Sequence, residues 1–201
     1  MKVSATILAA GESSRMENGN KLLLPINEIP MISHVCNTVL TAGLDPVLVV
    51  TGCDNELVTE AIPAAINEII YNSHWQSGMA SSIYSGISAL PKNIDGNMII
   101  LGDMPLIKVE TINRLREAFL RYNGKKIIYA NHFGKQVNPV IFPKKYFNEI
   151  LLLDGDIGCK NIITQNIENS FGVSIDSSEV IFDCDTKKDY SELVSMKLKN
   201  V

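Results

Sequence analysis

A doubly wound α/β fold on a mostly parallel sheet is what this sequence predicts, and three observations lead there. Apolar, β-branched runs recur along the chain and alternate with stretches of helical periodicity, the signature of parallel βαβ units. Two of the runs end in turns of small residues or Gly-Asp, as expected where open α/β sheets gather ligands at their strand carboxyl ends. No repeat, linker or low-complexity stretch interrupts the 201 residues, so one domain over 1–201 is expected, long enough for a sizeable core.

The opening run, Val3, Ala5, Ile7 and Leu8, suits a buried strand and breaks at Ala9-Ala10-Gly11. Pro30 fits the first position of a helix carrying Ile32, Val35, Cys36, Val39 and Leu40, closed by Gly43. Residues 46–50 predict a second strand, and Asp54 a cap for a short helix with Leu57, Val58 and Ala61. A third strand is expected over 65–71, then a polar loop from Asn72 that opens a helix near Gly78. Residues 98–101 read as a strand buried on both faces, 107–122 as an amphipathic helix and 127–130 as another strand. The segment 153–160 precedes a helix with Ile162 and Ile163, and Asp156 is read as an N-cap. Residues 180–185 read as a last strand with Asp183 and Asp185 on one face, followed by a helix over 186–196.

Composition narrows the function. A net charge of −4 and few aromatic residues argue against nucleic acid as a partner, so cations at the first loop must serve a small anionic ligand. No signal peptide is evident and no apolar run approaches the roughly 20 residues a spanning helix needs, which predicts a soluble, cytoplasmic protein with no membrane partner. Cys36, Cys53, Cys159 and Cys184 are scattered without a C-x-x-C pair, and read as free, mostly buried thiols.

The first loop carries the chemistry. Ser13, Ser14, Arg15 and Lys21 offer hydroxyls, backbone N–H groups and two cations within a short span beside Leu8, Ala9, Ala10 and Gly11, which suits a polyphosphate. Gly19-Asn20-Lys21-Leu22 is not a P-loop, and Ser13 and Arg15 break the dinucleotide and nucleophile-elbow patterns. Asp103, after Gly102 at a strand's end, is either a Mg²⁺ ligand or a turn aspartate bonding its own backbone. Asp183 and Asp185 would repel without a cation, though Asp185 equally suits a helix cap.

Leu8-Ala9-Ala10-Gly11-x-Ser13-Ser14-Arg15-Met16, followed by Lys21-Leu22-Leu23-Leu24-Pro25, resembles the signature of the nucleotidyltransferases that mature molybdenum cofactor. Ala-Ala-Gly with Ser-Ser-Arg-Met is closer to the cytidylyltransferase branch than to the guanylyltransferases. Gly78-Met79 with Ile83, Gly102-Asp103-Met104-Pro105 and Asp183-Cys184-Asp185-Thr186 resemble further segments of that family, in the same order. The departures are an extra residue between Met16 and Lys21, Asn138 where the family has histidine, Lys160 for arginine, and Lys187 for proline.

The resemblance implies a Rossmann-like fold of the nucleotide-diphospho-sugar transferase type. The implied reaction transfers CMP from CTP to the terminal phosphate of molybdopterin or molybdenum cofactor, releasing pyrophosphate. In it Arg15, Lys21 and Asp103 are catalytic, and Asp103 and Asp185 hold Mg²⁺. Leu8, Ala9, Ala10, Gly11, Ser13, Ser14, Lys21, Asn72, Ser81 and Ser82 form the nucleotide pocket, and a molybdenum hydroxylase receives the product. The segment around Asp156 and Lys160 would meet the pterin substrate. Alternatives are transfer from GTP, transfer to a sugar phosphate, or a non-enzymatic chaperone that delivers the cofactor.

Overall fold

The computed structural model describes residues 1–13, 16, 19–156 and 158–198. In chain order the elements are β1 (Val3–Ala9), β2 (Pro25–Ile26), β3 (Ile29–Pro30), α1 (Met31–Thr41), β4 (Val47–Thr51), α2 (Asn55–Glu60), β5 (Glu68–Tyr71) and α3 (Met79–Ser88). They continue with β6 (Gly96–Leu101), α4 (Val109–Arg121), β7 (Ile127–His132), β8 (Lys135–Pro143), α5 (Phe147–Ile150), α6 (Lys160–Gln165), β9 (Ser170–Ser174) and α7 (Lys187–Leu198).

Seven strands form one sheet in the order β5-β4-β1-β6-β8-β7-β9, and β2 pairs with β3 in a separate two-residue ribbon. β1 lies centrally, with Ile7 opposite Val49 on one side and Ile100 on the other, parallel to both. β8 alone runs against its neighbours. This is the α/β architecture that the alternating runs predict.

The sheet buries both faces, which explains why β1, β4 and β6 are mostly apolar, with their few polar residues, Ser4, Thr6, Thr51 and Asn97, buried as well. Along β6, Met98 and Ile100 join Ile7, Val35, Leu115 and Phe119 in the core under α1 and α4, whereas Ile99 points into a second core with Ile83, Ile87, Phe142, Ile150 and Ile163. On that second face α3 crosses β1 at Gly86. A Cβ there would fall 2.4 Å from Thr6 Cγ2, so the helix approaches closely because the residue has no side chain. α1 stops where Gly43 takes φ +70°, with its N–H donating to the Leu40 carbonyl.

A third, smaller cluster matters more for function. Ile26, Met31, Cys184 and Leu193, with Phe182 and Tyr190 beside them, pack α7 onto the β2–β3 ribbon, and the Tyr190 hydroxyl donates to the Pro25 carbonyl at 2.6 Å. The carboxy-terminal segment is thereby brought back over the first loop.

Three expectations are corrected. Residues 180–185 form no strand: a 3₁₀ turn over Ser178–Val180 leads into irregular chain, because Val180 serves the main core, Cys184 the small cluster, and Ile181 faces solvent. The remaining strand is β9, parallel to β7. Asp54 stands at the start of α2 in the left-handed region (φ +53°) without a side-chain cap; its carboxylate accepts from Asn20 Nδ2 at 3.4 Å. Asp156 does not cap α6, where Cys159 occupies the cap position; it accepts the Met79 N–H of α3 at 3.3 Å. Pro139 sits inside a central strand, which a missing N–H normally forbids, but Asn138 and Pro139 fall in the register shift between Tyr129 and Ala130.

Candidate functional site

A cavity of about 690 Å³ opens at the carboxyl ends of β1 and β6. Its floor is Leu8, Ala9, Ala10 and Gly11, and Ser13, Lys21, Ser82, Asp103 and Asp185 also line it. Small residues keep the floor's backbone accessible. Asn20 Oδ1 accepts the Leu22 N–H at 3.1 Å and caps the short 3₁₀ turn Lys21–Leu23, while Ser13 Oγ accepts the Lys21 N–H at 3.1 Å. Ser13 therefore fixes the loop from inside.

From that turn Lys21 Nζ reaches Asp103 Oδ2 at 2.5 Å and Asp185 Oδ1 at 2.6 Å. Three residues far apart in sequence thus meet at one point. Asp103 follows the Gly102 turn, where Gly102 N–H donates to the Leu8 carbonyl at 2.9 Å and a Cβ would crowd that same oxygen. Asp185 is stapled beside it by the Cys184 N–H, which donates to the Asp103 carbonyl at 3.3 Å. It does not cap α7. Thr186 does so in a reciprocal box: Asp189 Oδ2 accepts the Thr186 N–H at 2.8 Å and the Asp189 N–H donates to Thr186 Oγ1 at 3.2 Å. Hydrogen bonds from Thr186 hold the Asp189 carboxyl below its ordinary range.

Burial on its own would lower the Lys21 pKa, but the two carboxylates outweigh it and raise the ammonium above its ordinary value. One ammonium thus bridges two acidic side chains. Burial also pushes the thiols up, Cys184 to about 11 and Cys36 and Cys159 to about 12, so these three stay protonated and unreactive. All four cysteines are free and Cys53 is half-buried.

The acids fit a hard divalent cation. Asp103 Oδ1 is buried with no hydrogen-bond partner, a costly state that an oxygen-seeking ion would relieve. Among the described residues no group of three His, Cys, Asp or Glu side chains could hold a metal alone. Two carboxylates completed by phosphate oxygens and water suit Mg²⁺, which keeps several waters and rarely takes an all-protein cage.

The opposite wall is Trp75, Gln76, Ser77, Gly78 and Met79, with Asp156. Gly78 is required there: its φ is +105°, and a Cβ would lie 2.5 Å from the Gly155 backbone. The Ala80 N–H donates to the Gly155 carbonyl at 3.1 Å, so the 154–156 loop closes onto the start of α3. Asn72 and Ser81 do not line the cavity. Asn72 Nδ2 donates to Ser81 Oγ at 2.8 Å and Ser82 Oγ at 3.1 Å, which leaves the Ser82 hydroxyl proton for the cavity. Sequence reasoning passed over Gln76, grouped Asp156 with Lys160 although the two line different cavities, and read Trp75 as packing. Trp75 does pack, its Cβ against the Gly52 backbone, yet it lines the cavity as well. Ser14 and Arg15 lie outside the described residues.

A second cavity of about 140 Å³ shares Leu8, Met79 and Leu101 with the first. Its walls are mainly apolar (Ile83, Ile99, Val140, Phe142, Ile163), and Gln136, Asn138 and Lys160 supply polar groups. The two cavities abut along these shared residues.

The sequence profile of the MobA-like NTP transferase domain matches residues 5–170. The bifunctional protein GlmU of Sinorhizobium fredii is 34% identical over 128 residues, 62% of this chain and 28% of that protein. The chain therefore spans little more than a quarter of such curated relatives. A nucleotidyl transferase from Methanothermobacter superposes with a TM-score of 0.85 at 24% identity, covering 100% of this chain and 99% of that one. A Mycobacterium tuberculosis protein solved in complex with manganese superposes with a TM-score of 0.79 at 20% identity, covering 97% and 99%. These structural likenesses concern the fold, and no helix among the described residues is long and apolar enough to cross a membrane.

Proposed function

The chain belongs to the MobA-like NTP transferase family, and on that premise we propose that it transfers CMP from CTP to the terminal phosphate of molybdopterin, with or without molybdenum. The observation that carries this reading is the meeting of Lys21, Asp103 and Asp185 at the mouth of a small-residue cavity large enough for a nucleotide. The choice of CTP and of a pterin acceptor draws on the resemblance of the motifs to the cytidylyltransferase branch. The second cavity, with apolar walls that suit the faces of a flat ring and Gln136, Asn138 and Lys160 to meet polar ring edges, supports a planar acceptor such as a pterin.

In this reading Leu8 to Gly11 receive the nucleoside against the β1 backbone, and Ser82, oriented by Asn72, donates to the base or sugar. Mg²⁺, when bound to Asp103 and Asp185, supplies charge neutralisation for the triphosphate. Lys21 would offer its ammonium to the phosphates, with Arg15 and the Ser14 backbone proposed to join it. An acceptor phosphate oxygen attacks the α-phosphorus; the new P–O bond forms as the bond to the β-phosphate oxygen breaks, and the electron pair leaves on pyrophosphate. Alignment and charge stabilisation carry such a step, without a covalent protein intermediate.

The test is pyrophosphate release from purified protein with molybdopterin, Mg²⁺ and each of four nucleoside triphosphates. Release with CTP above the others is the expected result. Release only with a sugar phosphate acceptor, or tight pterin binding with no release from any nucleotide, would overturn the assignment.

A further inference from the structure

Glu179 is the most deeply buried carboxylate outside the cavity, 3% exposed, and the reaction proposed above gives it no part. Its surroundings account for the burial. Oε1 accepts the Thr111 hydroxyl at 2.5 Å, and Oε2 accepts the Ser177 hydroxyl at 3.1 Å and Lys108 Nζ at 2.9 Å. Thr111 is itself buried, whereas the Lys108 side chain is 62% exposed, so the neutral bonds are the sheltered ones.

The partners sit at one place in the fold. Lys108 and Thr111 bracket the first turn of α4, which has no side-chain cap of its own. A carboxylate there lies at the favourable end of the helix dipole. That helix begins six residues beyond Asp103, and Glu179 lies six residues before Asp185. One buried side chain therefore ties together the two chain segments that carry the acid pair. The same stretch is also held by Val180 in the main core, by Phe182 and Cys184 in the small cluster, and by the Cys184 N–H bond to the Asp103 carbonyl.

We propose that Glu179 is a positioning residue: through Thr111, Ser177 and Lys108 it sets the separation of Asp103 and Asp185, and so the affinity of the acid pair for a divalent cation with nucleotide. This rests on the reading of those acids as metal ligands. A buried hydrogen-bonded carboxylate held by a hydroxyl from each side is a rigid spacer, and metal ligands misplaced by a fraction of an ångström bind less well.

Mn²⁺ binding in the presence of CTP and the absence of acceptor tests it, read by electron paramagnetic resonance, in wild type, Glu179→Gln and Thr111→Val. Glu179→Gln keeps shape but loses the charge that holds Lys108, and Thr111→Val removes one bond without a cavity. All measurements are made well below each variant's Tm. Affinity for Mn²⁺ should fall roughly tenfold in Glu179→Gln, the low end for groups that orient metal ligands, and by a smaller factor in Thr111→Val. A merely structural role predicts a lower Tm with unchanged Mn²⁺ affinity, and that result in both variants overturns the proposal. Because no turnover is read, failure of nucleotidyl transfer would leave Glu179's role standing. Unchanged Mn²⁺ affinity would sink it even if transfer proceeded.

Discussion

Lys21 holds two carboxylates that would otherwise repel each other within a site that is mostly shielded from water. Removing its charge takes away the cation the two acids share, so Lys21→Met should be less stable than wild type at neutral pH as well as inactive. The pH dependence has a definite sign. A lysine whose folded pKa is raised contributes stability that is fully present below its unfolded value and is lost as pH rises through the folded value. The Tm gap between wild type and Lys21→Met should therefore hold steady from pH 7 to about 10 and close above that. A gap that closes below pH 9 would place the compensating charge elsewhere. Asp103 makes the complementary prediction. Its buried, unpartnered Oδ1 is the oxygen best placed for a cation, and Asp103→Ala should cost roughly 3–4 kcal/mol of barrier, about 10²–10³-fold in kcat. Near-normal turnover in that variant would remove the acid from the mechanism. Both residues were legible in the sequence because each sits in a short local pattern, a basic small-residue loop and a Gly-Asp turn ending a buried strand. Asp185 was legible as an acid, but the strand expected around it does not form: the alternation of Val180 to Asp185 mimics a strand while its apolar members serve different clusters.

At the scale of elements, the wall over the cavity comes from two segments meeting, the start of α3 and the 154–156 loop. Gly78 is the contact point. Substituting alanine adds a Cβ 2.5 Å from the Gly155 backbone at a φ of +105°, where an L side chain is already strained. Gly78→Ala should destabilise the protein by roughly 1–3 kcal/mol, lower Tm by about 2–4 °C per kcal/mol, and raise KM for the nucleotide more than it lowers kcat. An unchanged KM in a folded Gly78→Ala protein would detach this wall from nucleotide binding. Nothing local announces the contact. The sequence shows a glycine ahead of a helical run, which also fits ordinary capping, and it shows Asp156 ahead of a different helix. Only the fold reveals that Asp156 caps the first helix rather than the second, because that depends on α6 packing against the same face of the sheet as α3.

For the molecule as a whole, the strand alternation was enough to predict parallel βαβ units, since the central strands β1, β4 and β6 are mostly apolar runs buried on both faces. The insertion of β8 between β6 and β7 was not predictable in the same way. It runs antiparallel, its pairing is broken at Asn138-Pro139, and its neighbours are chosen by long-range packing rather than by its own pattern. That insertion puts Gln136 and Asn138 into the second cavity, beside the first, so the sheet's topology and the proposed acceptor site are one feature. The two cavities make binding of the nucleotide and of the acceptor separable, and a ligand that favours the folded state raises its stability by mass action. CTP with Mg²⁺ at 100 times its Kd should stabilise the protein by about 2.7 kcal/mol, roughly 5–10 °C in Tm, with smaller shifts for GTP and UTP at equal concentration. The shift should shrink sharply in Asp103→Ala, because the cation bridges nucleotide and protein, and should survive Asn138→Ala, which touches the second cavity alone. Equal shifts for all nucleotides in wild type would show that base choice is not made in this cavity, and loss of the CTP shift in Asn138→Ala would show that the two cavities are a single site.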